Sequence, residues 1–221
     1  MISLLLLDLD GVIVFEVAPP HVKNLELILL HDLLINGLKT LGVPVVVLTH
    51  RSRAEAAVIL QSAGLQGDVA GLIAAEDILG AAFAYGTPWQ VLRKGLRKSW
   101  ALPAIERRYR IDRKKMAFID DRLDNIEDLA GNGVGIALHV PSGINDDGSL
   151  ISFDFEQVVR VLRDWNGDPA PRPLAIAPRI VAQSEWYRTG ISTSTLTMSP
   201  FNRMRRFGRS LRNLLWKRAA E

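Results

Sequence analysis

The chain has 221 residues, 48% hydrophobic and 23% charged, which suits one mid-sized domain with a sizeable core and excludes wholesale disorder or a fibrous repeat. It has no cysteine, so disulfide frameworks, thiolate metal sites and cysteine nucleophiles are excluded, leaving carboxylate, hydroxyl, histidine or lysine chemistry. The formal charge of +3 is a remainder: residues 201–221 hold seven Lys and Arg against Glu221, residues 93–115 hold ten against Glu106 and Asp112, and everything else is net acidic by 11 charges.

Residues 2–7 are a short continuous aliphatic run, the pattern of a strand buried on both faces. Asp8 and Asp10 end it and no basic residue precedes it, so it does not read as a targeting segment. The spacing of Leu25, Ile28, Leu29, Leu33 and Leu34 predicts a helix over 21–41, stopped by Gly42. Glu26, His31, Asp32, Asn36 and Lys39 interrupt that stretch, well short of the run of about 20 apolar residues a membrane helix needs. A soluble, cytoplasmic protein with no transmembrane segment is expected.

Residues 43–48 predict a second buried strand, and Ser52 with Glu55 has the form of a capping box opening a helix through Ser62. Further strands are expected at 72–75, 116–119 and 134–140, with a basic helix at 103–110 and another helix at 125–130. Strands alternating with helices of this length predict an α/β fold with a central parallel sheet covered on both faces. Residues 167–178 hold four of the eleven prolines and 189–200 are rich in Ser and Thr, so 166–200 reads as an extended strap or linker after a domain at 1–165. Residues 201–221 then read as a basic amphipathic helix.

In open parallel sheets ligands bind beyond the carboxyl ends of the strands. Three of the predicted strands end in Asp8-Leu-Asp10-Gly11, in Thr49-His50-Arg51 and in Asp120-Asp121, which delivers four carboxylates and a hydroxyl to one edge. A fold tolerates such crowding best around a hard cation, and magnesium suits oxygen ligands that include a few carboxylates and a substrate phosphate. Gly11 permits the turn that would aim both Asp8 and Asp10 at the site. One carboxylate is then placed as a nucleophile toward phosphorus and another as general acid and base.

The order DLDGV at 8–12, VVVLTHR at 45–51 and FIDDRLDN at 118–125 resembles the haloacid dehalogenase-like (HAD) superfamily over roughly residues 1–140. The resemblance implies a Rossmann-like three-layer α/β/α sandwich and a magnesium-dependent phosphatase working through an aspartyl-phosphate. It places Asp8 at the nucleophile, Asp10 at the general acid/base, Thr49 at the phosphoryl-binding hydroxyl, Asp121 at the metal carboxylate with Asp120 as its neighbour, and Asn125 in a supporting position. An Asp at position 10 points to transfer of phosphate to water. The superfamily's lysine lacks its usual Lys-Pro signature here. Lys98 is preferred, just ahead of the helix that Pro103 opens, with Lys94 as the alternative.

The 38 residues between Asp10 and Thr49 and the 48 between Thr49 and Lys98 are too few for the superfamily's cap domain, which implies an open site and a large substrate or a borrowed lid. His50 is a further supporting candidate, although a surface role suits both it and Arg51. The segment 93–115 is either an anion-collecting rim or a solvated helix face. The 201–221 helix would dock on the domain, a second copy, a partner protein, nucleic acid or an anionic membrane, its Phe207, Leu211 and Leu214 favouring protein. A phosphorylated, macromolecular or polyanionic substrate follows, with a nucleic-acid end phosphatase as one alternative and a HAD-fold binding module that has lost turnover as another.

Overall fold

The computed structural model describes residues 1–17, 27–167 and 173–192. In chain order the elements are β1 (Leu4–Leu7), β2 (Val14–Val17), β3 (Leu27–His31), α1 (Asp32–Thr40), β4 (Val45–Leu48), α2 (Arg53–Ser62), β5 (Gly71–Ile73), α3 (Ala75–Tyr85), α4 (Pro88–Lys94), a 3-10 turn at Lys98–Ala101, α5 (Leu102–Tyr109), β6 (Met116–Asp120), α6 (Leu123–Gly131), β7 (Ile136–His139), β8 (Gly143–Ile144), β9 (Leu150–Phe153), α7 (Phe155–Asp164), β10 (Leu174–Ala175), β11 (Pro178–Val181), α8 (Gln183–Trp186) and β12 (Tyr187–Ser192).

Six strands in the order β10-β7-β6-β1-β4-β5 form one sheet, every neighbouring pair parallel. Alternation along the strands splits the core in two. Leu5, Leu7, Val45, Val47, Ile119 and Leu138 pack with α1, α2 and α7. Leu4, Leu6, Val46, Leu48 and Phe118 pack with α3, α5 and α6 on the other face. The expected three-layer α/β/α sandwich is therefore present, and both faces being covered explains why β1 and β4 read as unbroken aliphatic runs. Ser52 caps α2 as its capping box predicts, accepting from Glu55 N while its hydroxyl donates to Glu55.

The helix expected over 21–41 is corrected within the described residues. Leu27–His31 is a strand, paired antiparallel with β2 on one side and β12 on the other, and the helix begins only at Asp32. A solid run of aliphatic residues satisfies helical and extended spacing equally, and pairing decides between them. His31 marks the switch: its Nδ1 accepts from Leu34 N at 3.2 Å and caps α1.

Of the expected strap, residues 173–192 carry β10 at the edge of the main sheet, β11 against β9 and β12 against β3. The predicted 201–221 helix and His21 lie outside the described residues. Among the described residues no helix is long and apolar enough to cross a membrane.

Candidate active site

The carboxyl ends of β1, β4 and β6 lie side by side in the sheet, and their registers bring the acidic residues together. Immediately after β1 the chain turns tightly: Gly11 N donates to Val14 O at 2.8 Å, and Gly11 adopts φ of 72°. A Cβ at Gly11 would stand 2.1 Å from Asp121 Oδ2, so the missing side chain lets the two loops meet.

Lys98 is the largest fully buried side chain. Its Nζ lies 2.7 Å from Asp8 Oδ1 and 2.6 Å from Asp120 Oδ2, and 5.4 Å from the centre of the Phe118 ring. Burial alone would lower its pKa, but Asp8 and Asp120 outweigh burial and hold the ammonium charged. Lys94 is elsewhere, exposed on α4 with its Nζ over Trp100. The 3-10 turn that aims Lys98 inward is pinned to α6 by Asp128, which accepts from Ser99 N at 3.1 Å and from Ser99 Oγ at 2.9 Å.

The three carboxylates of Asp8, Asp120 and Asp121 offer oxygens that all lie within 4.8 Å of one another. Their hydrogen bonds divide them. Asp120 is engaged at both oxygens, Oδ1 by Arg122 N at 2.8 Å and Oδ2 by Lys98 and by Asn125 Nδ2 at 2.9 Å. Asp8 is engaged at Oδ1 by Lys98 and by Leu9 N at 2.7 Å, which leaves Oδ2 facing the cluster. Burial, then Asp120, pushes Asp8 well above the usual carboxylate range against the opposing pull of Lys98, and the same two causes raise Asp121 to about 6. Crowded oxygen donors with displaced pKa values and a single buried ammonium fit a hard divalent cation; Asp8 and Asp121 are the carboxylates with oxygens left to hold it.

The fourth carboxylate is set apart. Asp10 Oδ1 receives Arg51 Nε at 2.7 Å and Nη2 at 2.6 Å, and the same guanidinium reaches Glu16 on β2 at 3.2 Å. Arg51 is thus not the surface residue expected from its place after a strand. It is buried, and nothing in the sequence distinguishes it from a solvated arginine except that its β4 neighbours a strand ending in carboxylates. Thr49 is buried with its Oγ1 accepting from Arg51 N at 3.1 Å, which leaves its hydroxyl proton to donate. His50 braces the segment before Lys98, its Nε2 3.1 Å from Leu96 O.

No family model matches the chain, and no curated protein matches it. Solved structures similar to it include 3-deoxy-D-manno-octulosonate 8-phosphate phosphatase from Moraxella catarrhalis, in complex with magnesium, phosphate and KDO, at 20% identity and a TM-score of 0.39, covering 62% of this chain and 67% of that one. Another is a HAD-superfamily hydrolase of subfamily IA from Geobacter sulfurreducens, at 14% identity and a TM-score of 0.44, covering 63% of this chain and 89% of that one. These neighbours are haloacid dehalogenase-like hydrolases.

Proposed function

We propose that the chain is a magnesium-dependent phosphomonoester hydrolase of the haloacid dehalogenase type that works through an aspartyl-phosphate on Asp8. The observation that carries the reading is Lys98, wholly buried yet charged between Asp8 and Asp120, with Asp121 completing the acidic group. Burying an ammonium and two carboxylates beside a half-buried third is poor economy for stability alone, since apolar residues of the same volume do as well or better. Such a constellation at the strand ends of a parallel sheet is where a site is expected.

The residues divide the work as follows. Asp8 attacks phosphorus through a carboxylate oxygen, forming an O–P bond as the bond to the leaving oxygen breaks. Asp10 supplies a proton to that oxygen through Oδ2, since Arg51 occupies Oδ1. Asp10 then takes a proton from water as the water oxygen attacks phosphorus and Asp8 is released. Thr49 and Lys98 bind the phosphoryl oxygens, and Asp120 with Asn125 holds Lys98 in place. Asp8 and Asp121 would hold magnesium, which would neutralise charge on the transferring group.

Among the described residues, the chain between Asp10 and Thr49 forms the β2–β3 hairpin and α1, and that between Thr49 and Lys98 forms α2, β5, α3 and α4. This supports a site without a separate cap domain, suited to a substrate larger than its phosphate. The test is hydrolysis of p-nitrophenyl phosphate with added magnesium. Asp8→Asn is expected to lose turnover by a thousandfold or more, an order of magnitude typical of a lost nucleophile, with its thermal midpoint retained. Undiminished turnover in that variant would sink the proposal.

A further inference from the structure

Beside the site lies a face on which aromatic rings and cations alternate. α4 buries none of its side chains, and Trp89 and Leu92 on it are 74% and 78% exposed. Two cations stand over rings here, Lys94 Nζ 5.7 Å from the centre of Trp100 and Arg107 5.7 Å from Tyr85, whereas the Arg108–Tyr109 pair lies against Ala70 and Gly71 at the start of β5. A cleft of about 330 Å³ opens among Tyr85, Trp100, Lys94, Arg97 and Arg113, with Asp128 at its wall paired to Arg97. Of the ten cations in 93–115, Lys98 turns inward, Arg113 pairs with Glu106 and Arg97 with Asp128, while Arg93, Lys94, Arg107, Arg108, Arg110, Lys114 and Lys115 are exposed.

A solvated helix face needs charge but has no use for an exposed Trp and Leu on the outer side of a short helix that rests on α3. A membrane-seeking helix would need a longer apolar stripe than seven residues provide. Rings flanked by cations around a concave cleft match a polyanion whose repeating unit also carries a flat π face. Single-stranded nucleic acid is that polyanion: phosphates meet Lys and Arg, and bases stack on exposed rings regardless of sequence. The face is also continuous with the site. Lys94 ends α4 four residues before Lys98, a reach of at most about 14 Å, and His50 at the end of β4 holds the connecting Leu96.

We propose that this face binds single-stranded nucleic acid, one base entering the Tyr85–Trp100 cleft and the backbone crossing Arg93 and Arg107. Where the phosphatase reading holds, the strand's terminal phosphate is the group brought to Asp8.

The test is fluorescence anisotropy of a labelled dodecathymidylate without a terminal phosphate, titrated with the full chain in EDTA, so that the result does not depend on turnover. Raising NaCl from 50 to 200 mM is expected to weaken binding at least tenfold. Trp89→Ala is expected to weaken it about fivefold or more, and Arg93→Glu with Arg107→Glu tenfold or more, with thermal midpoints unchanged because all three side chains are exposed. Absence of binding by the native chain would overturn the proposal. So would binding indifferent to these substitutions, which would place it elsewhere on the chain, or preference for anionic phosphatidylserine vesicles over the oligonucleotide. Hydrolysis of p-nitrophenyl phosphate by the native chain reads the phosphatase proposal separately.

Discussion

Lys98 shows what a single buried charge asks of its neighbours. Removing it as Lys98→Ala leaves Asp8 and Asp120 buried without their cation, which costs about 3–5 kcal/mol, so that variant is expected to lose both turnover and stability in urea denaturation. Gly11→Ala is expected to act on the site more locally. The left-handed backbone at 72° strains any L side chain, by about 1–2 kcal/mol, and the new methyl overlaps Asp121, so stability should fall modestly while magnesium affinity, read by titration of the thermal midpoint, falls steeply. A Gly11→Ala variant that retains native magnesium affinity would show that the two loops need not touch. At this scale the residues themselves were largely readable: Asp8, Thr49, Asp120 and Asp121 stand at strand ends, and Asn125 in the helix that follows the last of them, in an order the sequence displays. Lys98 and Lys94 were not separable by spacing, because both lie at a workable distance before the last acidic motif; the 3-10 turn fixed by Asp128 makes the distinction. The Arg51–Asp10 pair was invisible because its partners are 41 residues apart and meet only through the β1–β4 pairing.

The strands of the main parallel sheet up to β7 were legible, and those of the small antiparallel sheets were not. β1, β4, β6 and β7 announce themselves as aliphatic runs, whereas β3 is equally aliphatic and looked helical until β2 and β12 were placed beside it. His31 at the end of β3 gives this element a testable signature. Its ring is enclosed by Phe153, Trp186 and Tyr187, with centroids 5.2, 5.6 and 4.7 Å away, and burial lowers its pKa to about 4 from an ordinary 6.5. Below pH 6.5 the unfolded chain therefore binds a proton that the folded chain refuses. The stability contributed by neutral His31 is complete above pH 6.5 and is lost as pH falls toward 4, by about 3 kcal/mol. Protonation would also remove the Nδ1 acceptor that caps α1. His31→Asn keeps a capping oxygen and cannot titrate. Its stability, whatever the starting value, is expected to fall less steeply than the native chain's between pH 6.5 and 4, as read by urea denaturation across that range. Parallel slopes in the two proteins would remove His31 from the account.

The whole molecule is held together by the segment that the sequence offered as a strap. Its prolines and its Ser/Thr-rich tail argue against central strands, and among its described residues no central strand forms. β11 opens on Pro178 at a sheet edge, where a missing amide donor is tolerated, and β10 extends the main sheet at its margin. The described part of the segment thus visits all three sheets in turn, and its anchor is Tyr187. That side chain is buried with Phe15, Leu29, Leu150 and Trp186, meets Phe15 edge-on at 6.1 Å, and joins its hydroxyl to Ser152 Oγ at 2.9 Å. Burial raises its pKa to about 12 while the Ser152 bond works against the shift, so the phenol stays neutral at physiological pH. Two substitutions separate ring from hydroxyl. Tyr187→Phe leaves Ser152 without its partner and is expected to cost about 1–2 kcal/mol, while Tyr187→Ala also empties the cluster and is expected to cost about 3–5 kcal/mol. Both follow from urea denaturation monitored by tryptophan fluorescence, to which Trp186 in the same cluster contributes. If Tyr187→Ala unfolds with native stability, the strap merely lies on the domain; if it unfolds early and in one step, the strap belongs to the same cooperative unit as the sheet that carries Asp8 and Asp120.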